Sequence, residues 1–308
     1  MSAIPLIPFG PHATCTLDLC PLEMSVLQYR PSLGSSIAFM CIFSALLLIH
    51  SILGFVWKSW WFLGCMAVGS VTEVIGYGGR VMLFYNPFSF SGFMMQISTS
   101  NYLHLTFCSI FCIGTAPVFY SAAIYVTMAK IAENLDPSLS RIKPKLYYVV
   151  FIVSDVFSLT LQGIGGGLTT SSSGQNRASV DLSLVGLCFQ VFSMVVFCGL
   201  LADYLFRYFK STRRTINSPR LKPFLIFLTA AVLLVLARCG YRVAELSDGY
   251  RGGLISNEPL FIALDSVLIA LAVLALCVGH PGFVFLPSEL GLKISKISSE
   301  YGIILQNK

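Results

Sequence analysis

The chain is 308 residues long, 56% hydrophobic and only 11% charged, with a formal net charge of +6. Its mean hydropathy is +0.78. A soluble domain carries about 25% charged residues, so this chain cannot cover a water-facing surface. Its length is better counted in membrane spans of about 20 apolar residues than in soluble domains.

The first 32 residues hold Pro5, Pro8, Pro11, Pro21 and Pro31 and no basic n-region. They read as a short tail rather than a cleavable signal. Cys15 and Cys20 lie together in that tail and can pair in an oxidising compartment. The other eight cysteines sit in or beside apolar stretches, where cysteine packs as a small hydrophobe. With no CxxC pair, neither a zinc ribbon nor a thioredoxin-type site is supported.

Seven apolar stretches follow, at about residues 33–56, 60–84, 101–128, 146–168, 182–206, 223–244 and 259–279. Each is long enough to span a bilayer. Pro117 predicts a kink in the third. The basic residues set the orientation. Fourteen fall on one side: Lys58; Lys130, Arg141, Lys143 and Lys145; Arg207, Lys210, Arg213, Arg214, Arg220 and Lys222; Lys293, Lys296 and Lys308. Only Arg30, Arg177 and Arg251 fall on the other. The bias predicts an all-α seven-transmembrane helix bundle with its N-terminus outside and its C-terminus cytosolic. The chain divides into an extracellular tail (1–32), a seven-span domain (33–280) and a cytosolic tail (281–308). The charge of +6 is thus a topology signal, and nucleic acid is not an expected partner. The run from Arg207 to Lys222 is placed to touch anionic lipid headgroups.

Ionisable residues inside the spans need explanation, since each costs about 2.5–3.5 kcal/mol at the bilayer centre. The second span carries Glu73, Tyr77 and Arg80; the third His104; the fourth Asp155 and Gln162; the sixth Arg238, Arg242 and Glu245; the seventh Glu258 and Asp265. Glu73 and Arg80, Asp155 and Gln162, Arg238 and Glu245, and Glu258 and Asp265 are each seven apart. That spacing returns to within about 20° of the same helix face. Each span therefore presents one polar stripe, and the stripes are expected to converge in one bundle interior. In the predicted orientation most of these residues lie in the outer half, with Glu73 and Asp155 near the middle. Two readings are open: a buried network that fixes helix order, or the polar floor of a pocket for an amphiphile. In the second reading Glu73 and Asp265 are the preferred anchors.

His50 and His280 fall at span ends, where histidine is ordinary. The glycine-rich segment from Gln162 to Gly167 suits close helix contact. Metal-ligand spacings, nucleophile elbows and P-loops are lacking. The sequence therefore gives no ground for an enzyme, a metal or a cofactor.

These motifs resemble a known family. The run Glu73-Val-Ile-Gly-Tyr-Gly-Gly-Arg80 is similar to the second-span signature of the fungal lipid-translocating exporters. So are Pro117-Val-Phe-Tyr-Ser-Ala-Ala-Ile-Tyr125, Asp155 with Gln162-Gly163, and Arg238-Cys-Gly-Tyr-Arg-Val-Ala-Glu245. Gly249, Glu258, Asp265 and His280-Pro281-Gly282 complete the series. The resemblance runs from Tyr29 to Gly282. It implies a multi-pass protein of the fungal plasma membrane that exports an amphiphilic lipid, such as a sphingoid long-chain base, and contributes to resistance to toxic amphiphiles. A seven-span lipid sensor without transport activity is the alternative. Five acids (Glu73, Asp155, Glu245, Glu258, Asp265) against three arginines would suit a cationic ligand.

Overall fold

The computed structural model describes residues 15–89, 112–135, 140–171, 177–211, 221–247 and 257–284, with Leu254 added and positions 18, 26 and 142 excepted. The described residues are helical apart from short connections and the N-terminal segment. The helices are α1 (Leu33–Val56), α2 (Trp60–Tyr85), α3 (Cys112–Asn134), α4 (Pro144–Ser171), α5 (Arg177–Ser211) and α6 (Leu221–Ser247). The last, α7, comprises Glu258–Phe261, a π-helical turn at Ile262–Val267, and Leu268–Val278. The segments Leu33–Val56, Trp60–Tyr85, Pro144–Thr169, Arg177–Lys210, Leu221–Ser247 and Glu258–Val284 are each long and apolar enough to cross a bilayer. The chain is a multi-pass membrane protein. Residues 101–111, the first part of the expected third span, and His104 with them, lie outside the described residues.

Local chemistry sets the ends. Ser32 caps α1 by accepting a hydrogen bond from the Ser35 amide. Lys58, in a left-handed conformation at φ 51°, turns the chain tightly into α2. Asn257 caps α7 through the Leu260 amide, and Pro259 stands in the first turn, where its missing N–H costs nothing.

Consecutive helices pack along the chain, α2 against α3, α4 against α5 and α6 against α7, while α1 meets α7 to close the bundle. Helix α3 touches α2, α4 and α6. From Thr115 to Ala132 it is buried almost all round, so it is the axis of the bundle. The peripheral helices turn apolar side chains outward, among them Val149, Val150, Val153, Val156 and Phe157 on α4. A hydrocarbon solvent explains that surface. Small residues let backbones approach. A Cβ on Gly69 would stand 2.6 Å from the Tyr120 ring, and one on Gly186 would stand 2.8 Å from the Ser158 carbonyl oxygen.

Candidate functional site

Helix α2 carries Ser70, Glu73, Tyr77 and Arg80 on one buried face at i, i+3, i+7 and i+10. Helix α6 turns Arg238 and Glu245 inward, and α7 turns in Asp265. The π turn sits at that place. By inserting an extra residue per turn it directs both Asp265 and Ser266 into the interior. The stripes of α2, α6 and α7 meet and resolve into distinct groups.

The first group is an ion pair. Arg238 Nε lies 3.1 Å from Asp265 Oδ1, and its Nη2 donates to Oδ2 at 3.4 Å. The side chains are 2% and 1% exposed. Arg242 pairs with Glu245 one turn further along α6, at 2.6 Å.

The second group is at the bundle end that carries the N-terminal segment. Arg80 Nη2 donates to the Tyr29 hydroxyl at 3.0 Å and stands 3.7 Å from Glu258 Oε1. Its guanidinium lies over the Phe261 ring at 4.2 Å, within cation–π range. Glu258 also accepts from the Ser32 amide at 2.7 Å. Burial raises the Tyr29 phenol above its ordinary range, and the Arg80 charge works against that.

The third element is Glu73. It is fully buried, and among the described residues neither carboxylate oxygen has a hydrogen-bond partner. Arg238, Asp265 and Arg242 are the charges that act on it, and Arg238 is already paired with Asp265. Its surroundings are aromatic. Tyr77 stacks between Phe39 and Phe43 at 5.4 and 5.7 Å, and Tyr120 reaches Ser70 at 3.4 Å. Asp155 is a second buried carboxylate, on α4 beside Tyr125. The Tyr125 hydroxyl nevertheless points at Met194 Sδ, 3.8 Å away.

Gln162 belongs elsewhere. Its amide nitrogen donates to Gln190 Oε1 at 3.0 Å and Ser158 Oγ at 2.9 Å. Ser158 in turn donates to the Gly186 carbonyl at 2.6 Å. Gln162 thus fastens α4 to α5 and does not join the α2–α6–α7 centre. Of the two preferred anchors, Asp265 is held by Arg238, while the Glu73 carboxylate has no hydrogen-bond partner among the described residues.

Some contacts carry no sequence signal. Asp203 on α5 binds Arg141 at 2.8 Å and Arg207 at 3.0 Å. The histidines at the span ends are buried. His50 Nε2 is 3.1 Å from the Val273 carbonyl oxygen and 3.3 Å from Cys277 Sγ. His280 contacts Ser59 Oγ at 3.1 Å and accepts from the Gly282 amide at 3.0 Å. A Cβ on Gly282 would collide with Trp57 Cβ. His280-Pro281-Gly282 therefore locks the end of α7 onto the α1–α2 turn. Among the described residues no group of three His, Cys, Asp or Glu side chains is placed to hold a metal.

Residues 66–288 match the family described as RTA1 like protein. The sphingoid long-chain base transporter RSB1 of Saccharomyces cerevisiae is 31% identical over 292 residues, covering 83% of this chain and 73% of that protein. Protoporphyrin uptake protein 1 of the same organism is 29% identical over 217 residues, 68% of this chain and 66% of its own. Protein RTM1 is 27% identical, over 68% of this chain and 64% of its own. No solved structure matches.

Proposed function

The chain belongs to the RTA1-like family of membrane proteins, and from that premise we propose that it translocates an amphiphilic lipid, a sphingoid long-chain base or a molecule like it, across the fungal plasma membrane. The observation that carries the reading is Glu73, a carboxylate buried among aromatic rings with no hydrogen-bond partner among the described residues. A buried charge is normally paired. The ammonium of a single-chain base supplies the missing partner, and its chain lies along the apolar faces of α1, α2 and α3. Asp155, beside Tyr125, offers a second acid for the same chemistry. The likeness to a sphingoid long-chain base transporter agrees with such a ligand. Export of toxic amphiphiles would confer resistance to them.

Seven spans, with the N-terminus outside, complete the proposal. Helix α3 supplies the span missing from the six apolar segments. Its 23 residues reach about 34 Å, enough to cross the hydrocarbon core. In this arrangement residues 1–32 are the outer tail, 33–280 the spanning domain and 281–308 the cytosolic tail. The basic run from Arg207 to Lys222 then faces anionic cytosolic headgroups. Single cysteines introduced in intact cells check the orientation. An impermeant maleimide is expected to label position 177 and to spare position 213; labelling at 213 overturns it.

Purified protein in liposomes with fluorescent long-chain base tests the function itself. Protein-dependent movement of the base between leaflets is the expected result. Saturable binding without movement would replace transport by the sensor reading, and neither would overturn both.

A further inference from the structure

The N-terminal segment before α1 is built into the bundle. Cys15 and Cys20 form a disulfide, and both pack on Phe88 just beyond α2. A 3-10 turn at Leu22–Met24 leads to buried Ser25, whose hydroxyl and carbonyl both accept from the Gln28 amide. Gln28 adopts φ 59°, a left-handed conformation that redirects the chain. Arg30 stacks on Phe84 at 3.9 Å and donates from Nε to the Phe84 carbonyl at 2.7 Å. Both ends of the segment are thus fastened at or just beyond the last turn of α2.

Between those anchors Tyr29 points to the charged groups at the ends of α2, α6 and α7. It meets Arg80 from α2, and its phenol senses Glu258 from α7 and Glu245 from α6. Arg80 joins these elements, through Tyr29 on one side and through Glu258 and Phe261 on the other. Glu73 lies seven residues deeper on the same face of α2, about 10 Å further along the axis. Tyr29 therefore meets the same face of α2 as the unpartnered carboxylate, about two turns nearer this end of the bundle.

We propose that the N-terminal segment is the gate of the amphiphile path at this end of the bundle, with Tyr29 as its plug and the Tyr29–Arg80–Glu258 contacts as its latch. The proposal rests on the reading of the Glu73 centre as the binding site. In the closed state Arg80 is divided among a phenol, a carboxylate and a ring. Opening requires Tyr29 to leave Arg80 and Ser32 to leave Glu258. The fixed points at Phe84 and Phe88 hold the segment near the mouth while it swings. Each latch contact is a hydrogen bond to a charged group or a single ion pair, and one is a modest free energy. Such a latch opens and recloses without unfolding the bundle.

Two native cysteines report on this gate. Cys239 is buried beside Arg238 at the level of the charged centre. Cys277 is partly buried at the opposite end, against His50. Full-length protein in lipid nanodiscs, with both faces open to solvent, is treated with an impermeant maleimide, and labelling of each cysteine is read by peptide mass spectrometry. In the unaltered protein Cys239 is expected to label slowly. Tyr29→Ala and Glu258→Gln should each speed Cys239 labelling by about tenfold, the scale of one lost charge-assisted contact, and leave Cys277 unchanged. Tyr29→Phe keeps the ring and should give a smaller increase. No acceleration at Cys239 in any variant overturns the gate, as does an equal rise at both cysteines, which means general loosening. The measurement needs no substrate. A chain that fails to move base in liposomes yet shows selective Cys239 exposure loses the transport reading and keeps the gate.

Discussion

Asp265→Asn is expected to be the most destabilising conservative substitution in the protein. It leaves Arg238 charged, 2% exposed and facing a neutral amide where a carboxylate stood. Breaking a buried pair by removing one partner costs about 3–5 kcal/mol, because the remaining ion keeps its desolvation penalty. In a chain of this size such a loss lowers the melting temperature by roughly 10 °C. Melting of detergent-solubilised protein, followed by size-exclusion chromatography, reads the effect. Removing both charges together, as in Arg238→Met with Asp265→Leu, should recover most of the loss, since well-packed apolar residues often match a buried pair in stability. The Arg242–Glu245 pair offers a calibration. Arg242 is 31% exposed, so Glu245→Gln should cost far less. An Asp265→Asn protein that melts with the native one would show that this pair does not hold α6 to α7.

That expectation also separates what sequence reasoning could reach from what it could not. Spans could be read closely because a membrane allows few solutions. A run of about 20 apolar residues must become a helix, and α1 falls on the stretch read for it, Leu33–Val56. The polar stripes were equally legible, since period-seven spacing places Glu73 with Arg80, and Arg238 with Glu245, whatever the neighbours are. Pairing was not legible. Which acid meets Arg238 depends on the rotation of α7, and that rotation is set by a π turn at Ile262–Val267 that no periodicity announces. Gln162 shares the spacing of the charged stripes, yet its amide reaches Gln190 on α5 and Ser158 on its own helix, and Ser158 goes on to the Gly186 carbonyl of α5. The ties of Tyr29 and Ser32 to Arg80 and Glu258 join residues 51 and 226 positions apart, beyond any local pattern.

The acid left over by these pairings should behave in the opposite way to Asp265. Glu73→Gln keeps the side-chain volume, and no hydrogen bond to a described residue is lost with the charge. It removes an ionisable group from a fully buried position, which by itself favours the fold. The melting temperature should therefore hold or rise. Binding should not survive so well. An ammonium on a buried carboxylate makes a charge-assisted contact worth about 1.5–3 kcal/mol, so affinity for a long-chain base should fall by roughly 10- to 100-fold. Transport in liposomes should fall with it. The comparison with Asp265→Asn matters because both substitutions neutralise one buried acid of the same centre. If the centre is only a structural network, Asp265→Asn should still destabilise and neither substitution should affect binding in the protein that remains folded. If Glu73 receives the headgroup, the two effects separate: stability is lost at Asp265, and ligand is lost at Glu73. A Glu73→Gln protein that melts normally and binds and moves base at the native rate would return Glu73 to the packing of the bundle, and the ligand's ammonium would have to be sought at Asp155, where Asp155→Asn makes the same measurement.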